Sequence, residues 1–229
     1  MAAISASMLG CRHSQIGDCV KRAAAAGAEY IHIDIMDGDY VRNISFGPQL
    51  INELREISVL PLSVHLETSR PDKIFRLFES TAADIISFQL DACANPIHLL
   101  NEIHAAGKKT GVAIGPAYSV DSVRYILQYL DFLNIMSVEP GYGGQRFESS
   151  VYSKLSAAKE LIKAHKPDIK LCVDGGITPE NAPLLVEHGA DILICGTSVF
   201  SGGEVEKNMA KLMESIRSRA SSPGGYAAF

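Results

Sequence analysis

The sequence predicts a single (β/α)8 barrel, an α/β fold built as one domain. Three observations carry this. Eight short β-rich runs recur along the chain, amphipathic stretches of helical period lie between them, and a length of 229 residues accommodates eight such units in one body. The runs span residues 4–9, 30–37, 60–66, 84–90, 109–115, 132–138, 169–174 and 191–197. Neighbouring parallel strands need a long crossover, and a helix supplies it, so strand–helix alternation is the signature of a parallel sheet.

The predicted helices cover residues 48–57, 71–82, 96–106, 120–130, 151–165 and 179–188. Pro48, Pro71, Pro96 and Pro179 stand at the first turn of four of them, where the missing N–H costs little. The phrases AAAGAEY, ESTAAD, HAAGKK and EHGAD precede strands as small-residue helix ends, a weak internal repetition. No linker rich in Pro, Gly or Ser interrupts the series before SSPGGYAAF, so the barrel is expected over residues 1–220 and a frayed tail over 221–229. Counting βα units leaves a doubly wound open sheet as the alternative; eight units in this length favour closure.

Composition narrows the function classes. With 47% hydrophobic and 21% charged residues the chain has enough apolar content for a sizeable core. A net charge of -5 without a basic run speaks against nucleic acid, which requires clustered Lys and Arg. The expected partner is a small molecule. Cys11, Cys19, Cys93, Cys172 and Cys195 are odd in number and scattered, without a CxxC pair, which fits a reducing compartment. The segment MAAISASML lacks a basic stretch ahead of an apolar one, and no apolar run approaches the ~18 residues of a membrane span. A soluble, cytoplasmic protein with no membrane partner is therefore expected.

Side chains alternate along a barrel strand between the helices and the lumen. In the second strand Ile31, Ile33 and Ile35 share one face, leaving His32, Asp34 and Met36 on the other. In the third, Leu62, Val64 and Leu66 oppose Ser63, His65 and Glu67; in the seventh, Leu171 and Val173 oppose Cys172 and Asp174. The apolar faces belong against helices, so His32, Asp34, His65 and Asp174 point inward near strand C-terminal ends, where barrel active sites lie. A single inward imidazole or carboxylate is commonly a satisfied core group. Two of each in one lumen are costly without a cation, because buried charges lose their hydration. Two imidazole nitrogens and two carboxylate oxygens suit one divalent ion, Zn²⁺, Fe²⁺, Mn²⁺ or Co²⁺, and the lack of thiolates speaks against a purely structural zinc. His13, His98, His104, His165 and His188 fall in helices or loops, as solvated groups.

A second constellation is glycine-rich: Pro140-Gly141-Tyr142-Gly143-Gly144-Gln145, Asp174-Gly175-Gly176 and Gly196-Thr197-Ser198 follow the sixth, seventh and eighth strands. Any one such loop is readily explained as a turn. Three on adjacent strands, at the customary phosphate end of this fold, let backbone N–H groups approach an anion.

Taken together and in order, HIDIMDG, VRNISFGP, LSVHL, MSVEPGYGGQRF and CVDGGI resemble the ribulose-phosphate 3-epimerase family, over about residues 4 to 200. The resemblance implies a metal-dependent isomerase of (β/α)8 fold that interconverts D-ribulose 5-phosphate and D-xylulose 5-phosphate in the pentose phosphate pathway, working as a homo-oligomer. It implies His32, Asp34, His65 and Asp174 as metal ligands, with Asp34 and Asp174 doubling as acid and base. Ser7, His65, Gly141, Tyr142, Gly143, Gly144, Asp174, Gly175, Gly176, Gly196 and Thr197 match positions that hold the substrate. Met36 and Met136 match positions that form a dry, polarisable cap over the enediolate, although core filling explains them equally well.

The chemistry agrees with this resemblance. Inverting a carbon beside a ketone means taking a proton from one face and returning one to the other, so two groups must flank it. Four departures stand out: Glu67 where the family has Met, Gln89 where it has His, Asp39-Tyr40-Val41-Arg42-Asn43 in place of HFVPN, and Ala113-Ile114-Gly115-Pro116 after the fifth strand. None removes a ligand. Some lie in loops near the sugar, which makes an epimerase of another ketose phosphate, such as D-allulose 6-phosphate, the alternative substrate reading. Two rivals come from other classes. A decarboxylase or synthase commonly needs a lumen lysine, and only Lys170, at a strand start, lies on an inward position. A non-catalytic sugar-phosphate binder has no need of both Asp34 and Asp174.

Overall fold

The computed structural model describes residues 2–220. Its eight strands are parallel and close into a barrel in sequence order, with β8 pairing back onto β1. Closure removes the doubly wound alternative. The strands are β1 (Ala3–Ser7), β2 (Tyr30–Met36), β3 (Leu62–Glu67), β4 (Ile85–Gln89), β5 (Lys109–Ile114), β6 (Phe132–Met136), β7 (Lys170–Asp174) and β8 (Ile192–Cys195). Between and after them run α1 (Ile16–Ala25), α2 (Pro48–Ile57), α3 (Pro71–Phe78), α4 (Pro96–Ala105), α5 (Val151–His165), α6 (Ala182–Glu187), α7 (Thr197–Phe200) and α8 (Val205–Ala220). No helix among the described residues is long and apolar enough to cross a membrane. The expected tail, 221–229, lies outside the described residues.

Alternation along the strands produces two separate apolar regions. Ile31, Ile33, Leu62, Val64, Leu66, Leu171 and Val173 are buried between sheet and helices in the main core, each fully buried aliphatic side chain contributing about 1.5–3 kcal/mol. Inside the barrel, Ala3, Cys172, Ile192 and Ile194, with Tyr30 and Phe132 against them, form a small apolar plug. Most of these lie at strand starts, below the cluster of His32, Asp34, His65 and Asp174 near the C-terminal mouth.

The helices follow the apolar stripes. In α5 the buried residues are Val151, Leu155, Ala158, Leu161 and Ile162, a helical period facing the sheet. Four expectations need correcting. Residues 120–130 are not an α-helix but two 3-10 turns, Val120–Val123 and Leu127–Tyr129. Val123, Ile126, Leu127 and Leu130 are nevertheless all buried, because i,i+3 turns also align that face. The helix from Pro71 stops at Phe78, whose carbonyl accepts from the Thr81 hydroxyl at 2.7 Å. The sixth begins at Ala182 rather than at Pro179. The eighth strand also ends earlier than expected, at Cys195, which leaves Gly196 and Thr197 at the strand-to-helix turn. Lys170 is exposed at the start of β7, far from the mouth, which disfavours the lumen-lysine chemistries.

Candidate active site

Strand register assembles the site. Asp34 pairs with His65 across β2 and β3, Ser7 with His32 across β1 and β2, and Met136 with Asp174 across β6 and β7. His32 and His65 are 1% and 0% exposed, and Asp34 and Asp174 4% and 9%. His32 Nε2 lies 3.0 Å from Asp34 Oδ1 and 3.5 Å from Asp174 Oδ2. His65 Nδ1 lies 3.3 Å from Asp34 Oδ1 and 3.8 Å from Asp174 Oδ2. The four predicted ligands thus converge.

Neighbours orient this cluster. The Ser7 hydroxyl donates to Asp34 Oδ2 at 2.9 Å, leaving Oδ1 to the imidazoles. The Asn134 amide donates to Asp174 Oδ2 at 3.4 Å, and the Gln89 amide stands 3.3 Å from His65 Nε2. Burial penalises the His32 imidazolium, but the Asp34 and Asp174 carboxylates outweigh it and push the ring up to about 10. Burial raises Asp34 as well, yet His32 and His65 outweigh it and hold that carboxyl well below the usual range. Glu67 is the opposite case: burial and the charges of Asp34 and Asp174 push its carboxyl well above the usual range.

The residues fit a metal ion. One ligand atom from each of His32, Asp34, His65 and Asp174 lies within 4.8 Å of all the others. Donors about 2.1 Å from one ion are at most about 4.2 Å apart; the four ion-pair distances above lie within that, and the set as a whole, spread over as much as 4.8 Å, would draw in slightly around an ion.

Above the cluster opens a cleft of about 1100 Å³, with Asp34, Glu67, Met136 and Asp174 among its lining residues and the glycine loops around its rim. Gly175 adopts φ +104, and a Cβ there would meet Val138 Cγ2 at 2.3 Å, so only glycine fits the turn after β7. At Gly10 the constraint is close approach, since a Cβ would sit 2.3 Å from the backbone of Gly196. Gly143 and Gly144 face Thr197, each with its ideal Cβ position 3.7 Å from the hydroxyl. The loops after β6 and β8 therefore meet. Asn43 donates to the Gly141 carbonyl at 2.9 Å and the Tyr142 hydroxyl donates to the Arg42 carbonyl, tying the loop after β2 to the loop after β6.

Ser7, Gly141, Tyr142, Gly143, Gly144, Gly175, Gly176, Gly196 and Thr197 all line this cleft, as does Met136. Met36 is buried beside it, in register with Glu67. Sequence reasoning missed Asn134, although the alternation of Leu133 and Ile135 places it inward beside Met136. Ser198, named in the glycine-rich turn after the eighth strand but not taken as a site residue, also lines the cleft. Of the histidines read as solvated, His188 is partly buried and bonds Ser156 at 2.7 Å.

A closed parallel barrel with a two-histidine, two-aspartate cluster that could hold a metal ion, under a glycine-rimmed cleft at the C-terminal mouth, has the layout of a barrel enzyme. The chain belongs to the ribulose-phosphate 3-epimerase family, whose model matches residues 3–200. It is 34% identical to ribulose-phosphate 3-epimerase of Bacillus subtilis over 213 residues, covering 93% of this chain and 98% of the relative. It is 36% identical to the chloroplastic ribulose-5-phosphate-3-epimerase of Arabidopsis thaliana, covering 93% of this chain and 75% of the relative. Among solved structures, a mutant tryptophan synthase alpha-subunit from Pyrococcus furiosus superposes with a TM-score of 0.69 at 15% identity, over 93% of this chain and 97% of that one. That likeness concerns the fold.

Proposed function

We propose that this chain is an isomerase that interconverts D-ribulose 5-phosphate and D-xylulose 5-phosphate by inverting the carbon beside the ketone. One observation carries the reading. Asp34 and Asp174 reach the same His32 nitrogen from different strands, at 3.0 and 3.5 Å, so two buried carboxylates flank one small space at the floor of the cleft.

In that space one aspartate takes the proton from one face of the sugar carbon and the other returns a proton to the opposite face. The Ser7 hydroxyl fixes the orientation of Asp34, and the Asn134 amide that of Asp174. Held by His32, Asp34, His65 and Asp174, a divalent ion of the zinc, iron, manganese or cobalt group supplies a Lewis acid for negative charge developing on the substrate oxygens. Gly175, Gly176, Gly196 and Thr197, with Gly141 to Gly144 opposite, offer backbone N–H groups to the phosphate. Met36 and Met136, each 3% exposed, keep water from the reacting carbon. Five free, buried cysteines agree with a reducing, cytoplasmic setting, and the resemblance supports a homo-oligomer.

The test is a panel of pentulose and hexulose phosphates, assayed for epimer formation after metal reconstitution. D-ribulose 5-phosphate is expected to turn over. A hexulose 6-phosphate with kcat/KM on the order of a hundredfold higher, about 2.7 kcal/mol of transition-state preference, would assign the chain to D-allulose 6-phosphate or a similar sugar. Binding without turnover across the panel would leave a non-catalytic binder.

A further inference from the structure

Gly141 is buried in the loop after β6, whereas Tyr142, Gly143 and Gly144 beyond it are exposed. Its carbonyl accepts from the Asn43 amide at 2.9 Å, and its N–H donates to the Glu67 carboxyl. Its φ is +122, a conformation open to glycine, and a Cβ there would stand 3.1 Å from Val41 Cβ. The loop is thus gripped at one residue, by Glu67 from β3 and by Val41 and Asn43 from the loop after β2. Glu67 itself ends β3, is 2% exposed and lines the cleft. It stands outside the cluster of His32, Asp34, His65 and Asp174, with Oε1 at 3.7 Å from His65 Nδ1. A carboxyl oxygen accepts from an N–H in either charge state, whereas the methionine usual in the family offers only a weakly accepting thioether. A buried N–H left without an acceptor is costly.

We propose that Glu67 is a positioning residue: its carboxyl holds the Gly141 N–H and, with Asn43, fixes the loop after β6 at the rim of the cleft so that Gly143 and Gly144 meet the substrate phosphate. The inference rests on the sugar-phosphate reading given above and refines it. Within the stretch Gly141 to Gly144 the first glycine is the anchor. Gly143 and Gly144, each with its ideal Cβ position 3.7 Å from the Thr197 hydroxyl, supply the N–H groups. A loop already held in the substrate-free protein spares binding an ordering cost, so the anchor acts on KM more than on kcat.

Exchange of the Gly141 amide is followed by nuclear magnetic resonance in the substrate-free wild type, Glu67→Gln, Glu67→Met and Glu67→Ala. In Glu67→Met and Glu67→Ala, which lack the acceptor, it should speed up at least about tenfold, equivalent to about 1.4 kcal/mol of local protection. Glu67→Gln keeps a side-chain carbonyl and should stay within about threefold of wild type, as should the amides of β2 and β7 in every variant. At equal metal content, KM for D-ribulose 5-phosphate should rise about five- to tenfold in the two acceptor-free variants with kcat within about threefold, and Glu67→Gln should restore it. Wild-type exchange at Gly141 in an acceptor-free variant that folds overturns the proposal; if KM alone rises, Glu67 contacts the substrate directly. Equal acceleration in Glu67→Gln also overturns it and leaves a packing role. The exchange measurement needs no turnover, so it decides the proposal even where the wild type inverts no sugar phosphate, the result that would sink the epimerase reading.

Discussion

His65 and Asp34 are register partners on adjacent parallel strands, and Nδ1 of the imidazole lies 3.3 Å from Oδ1 of the carboxylate. Side-by-side placement follows from the pleat alone, because paired residues of neighbouring strands point to the same side. His65 further reaches Asp174 across the lumen at 3.8 Å and has Gln89 behind its Nε2. Removing this ring takes one nitrogen from the centre and the spacer between two aspartates. His65→Ala should therefore weaken metal affinity by at least about a hundredfold, and Gln89→Ala by about tenfold, since outer-shell partners of a ligating histidine commonly contribute 10–100-fold. Metal content and calorimetric titration check both. Chelation should abolish turnover in the wild type, and full activity in a demonstrably metal-free sample would refute the metal requirement.

Gly175 and Gly203 both adopt positive φ, +104 and +71, but their surroundings differ. A Cβ at Gly203 meets nothing within 4 Å, whereas at Gly175 it meets Val138 Cγ2 at 2.3 Å and Cγ1 at 3.1 Å. Gly203→Ala should lose only the conformational term, about 1–2 kcal/mol. Gly175→Ala should lose that and about 1–3 kcal/mol of overpacking. Chemical denaturation of the two variants measures the difference. Equal losses would mean that Val138 yields freely.

How much of this was legible in the sequence depended on period. Where a strand is buried on both sides yet alternates in polarity, as Ile31 to Met36 does, the inward set was readable, and the alternation of β2, β3 and β7 yields the clustered His32, Asp34, His65 and Asp174. The segment 120–130 misled because Val123, Ile126, Leu127 and Leu130 are spaced equally well for an α-helix and for successive 3-10 turns. Backbone angles decide between these: Ile126 at φ -113 breaks the helix, and its apolar spacing carries no trace of that. Glu67 was visible as a departure, but its burial beside the cluster and its 3.7 Å separation from His65 cannot be read from one strand. The contact between Gly10 and Gly196 joins distant parts of the chain and leaves no local pattern.

Asp37 holds two loops at the mouth. Its Oδ1 accepts from the backbone N–H of Asp39 at 3.0 Å and of Tyr40 at 2.9 Å, and its Oδ2 from the Ser69 N–H at 2.8 Å and the Ser69 hydroxyl at 3.0 Å. Burial alone would raise this carboxyl, but the N–H groups outweigh it and hold it below its ordinary 3.8. A depressed folded-state pKa means that the unfolded chain takes up the proton first. The stabilisation is therefore complete above the ordinary value and is lost as pH falls toward and through the lower folded one. Between about pH 5 and pH 3, the thermal midpoint of the wild type should fall more steeply than that of Asp37→Asn. Parallel curves would show that these hydrogen bonds do not favour the ionised form.

The last prediction separates proton transfer from metal binding in Asp34 and Asp174. In deuterated water the wild type should place solvent deuterium in the product, because the acid that delivers the proton has equilibrated with solvent. Asn at either position removes one acid/base group and one negative ligand oxygen, so metal content is measured first. In a variant that still holds metal, the surviving aspartate reaches only the epimer whose hydrogen faces it. That epimer should exchange its hydrogen slowly without inverting, while the other stays inert. Because Asp34 and Asp174 come from different strands, β2 and β7, and flank the same space, the selectivity should reverse between Asp34→Asn and Asp174→Asn. Nuclear magnetic resonance of each recovered epimer reads the exchange directly. A metal-loaded variant that still inverts the carbon at near wild-type rate would show that its aspartate is a ligand only, and that another group moves the proton.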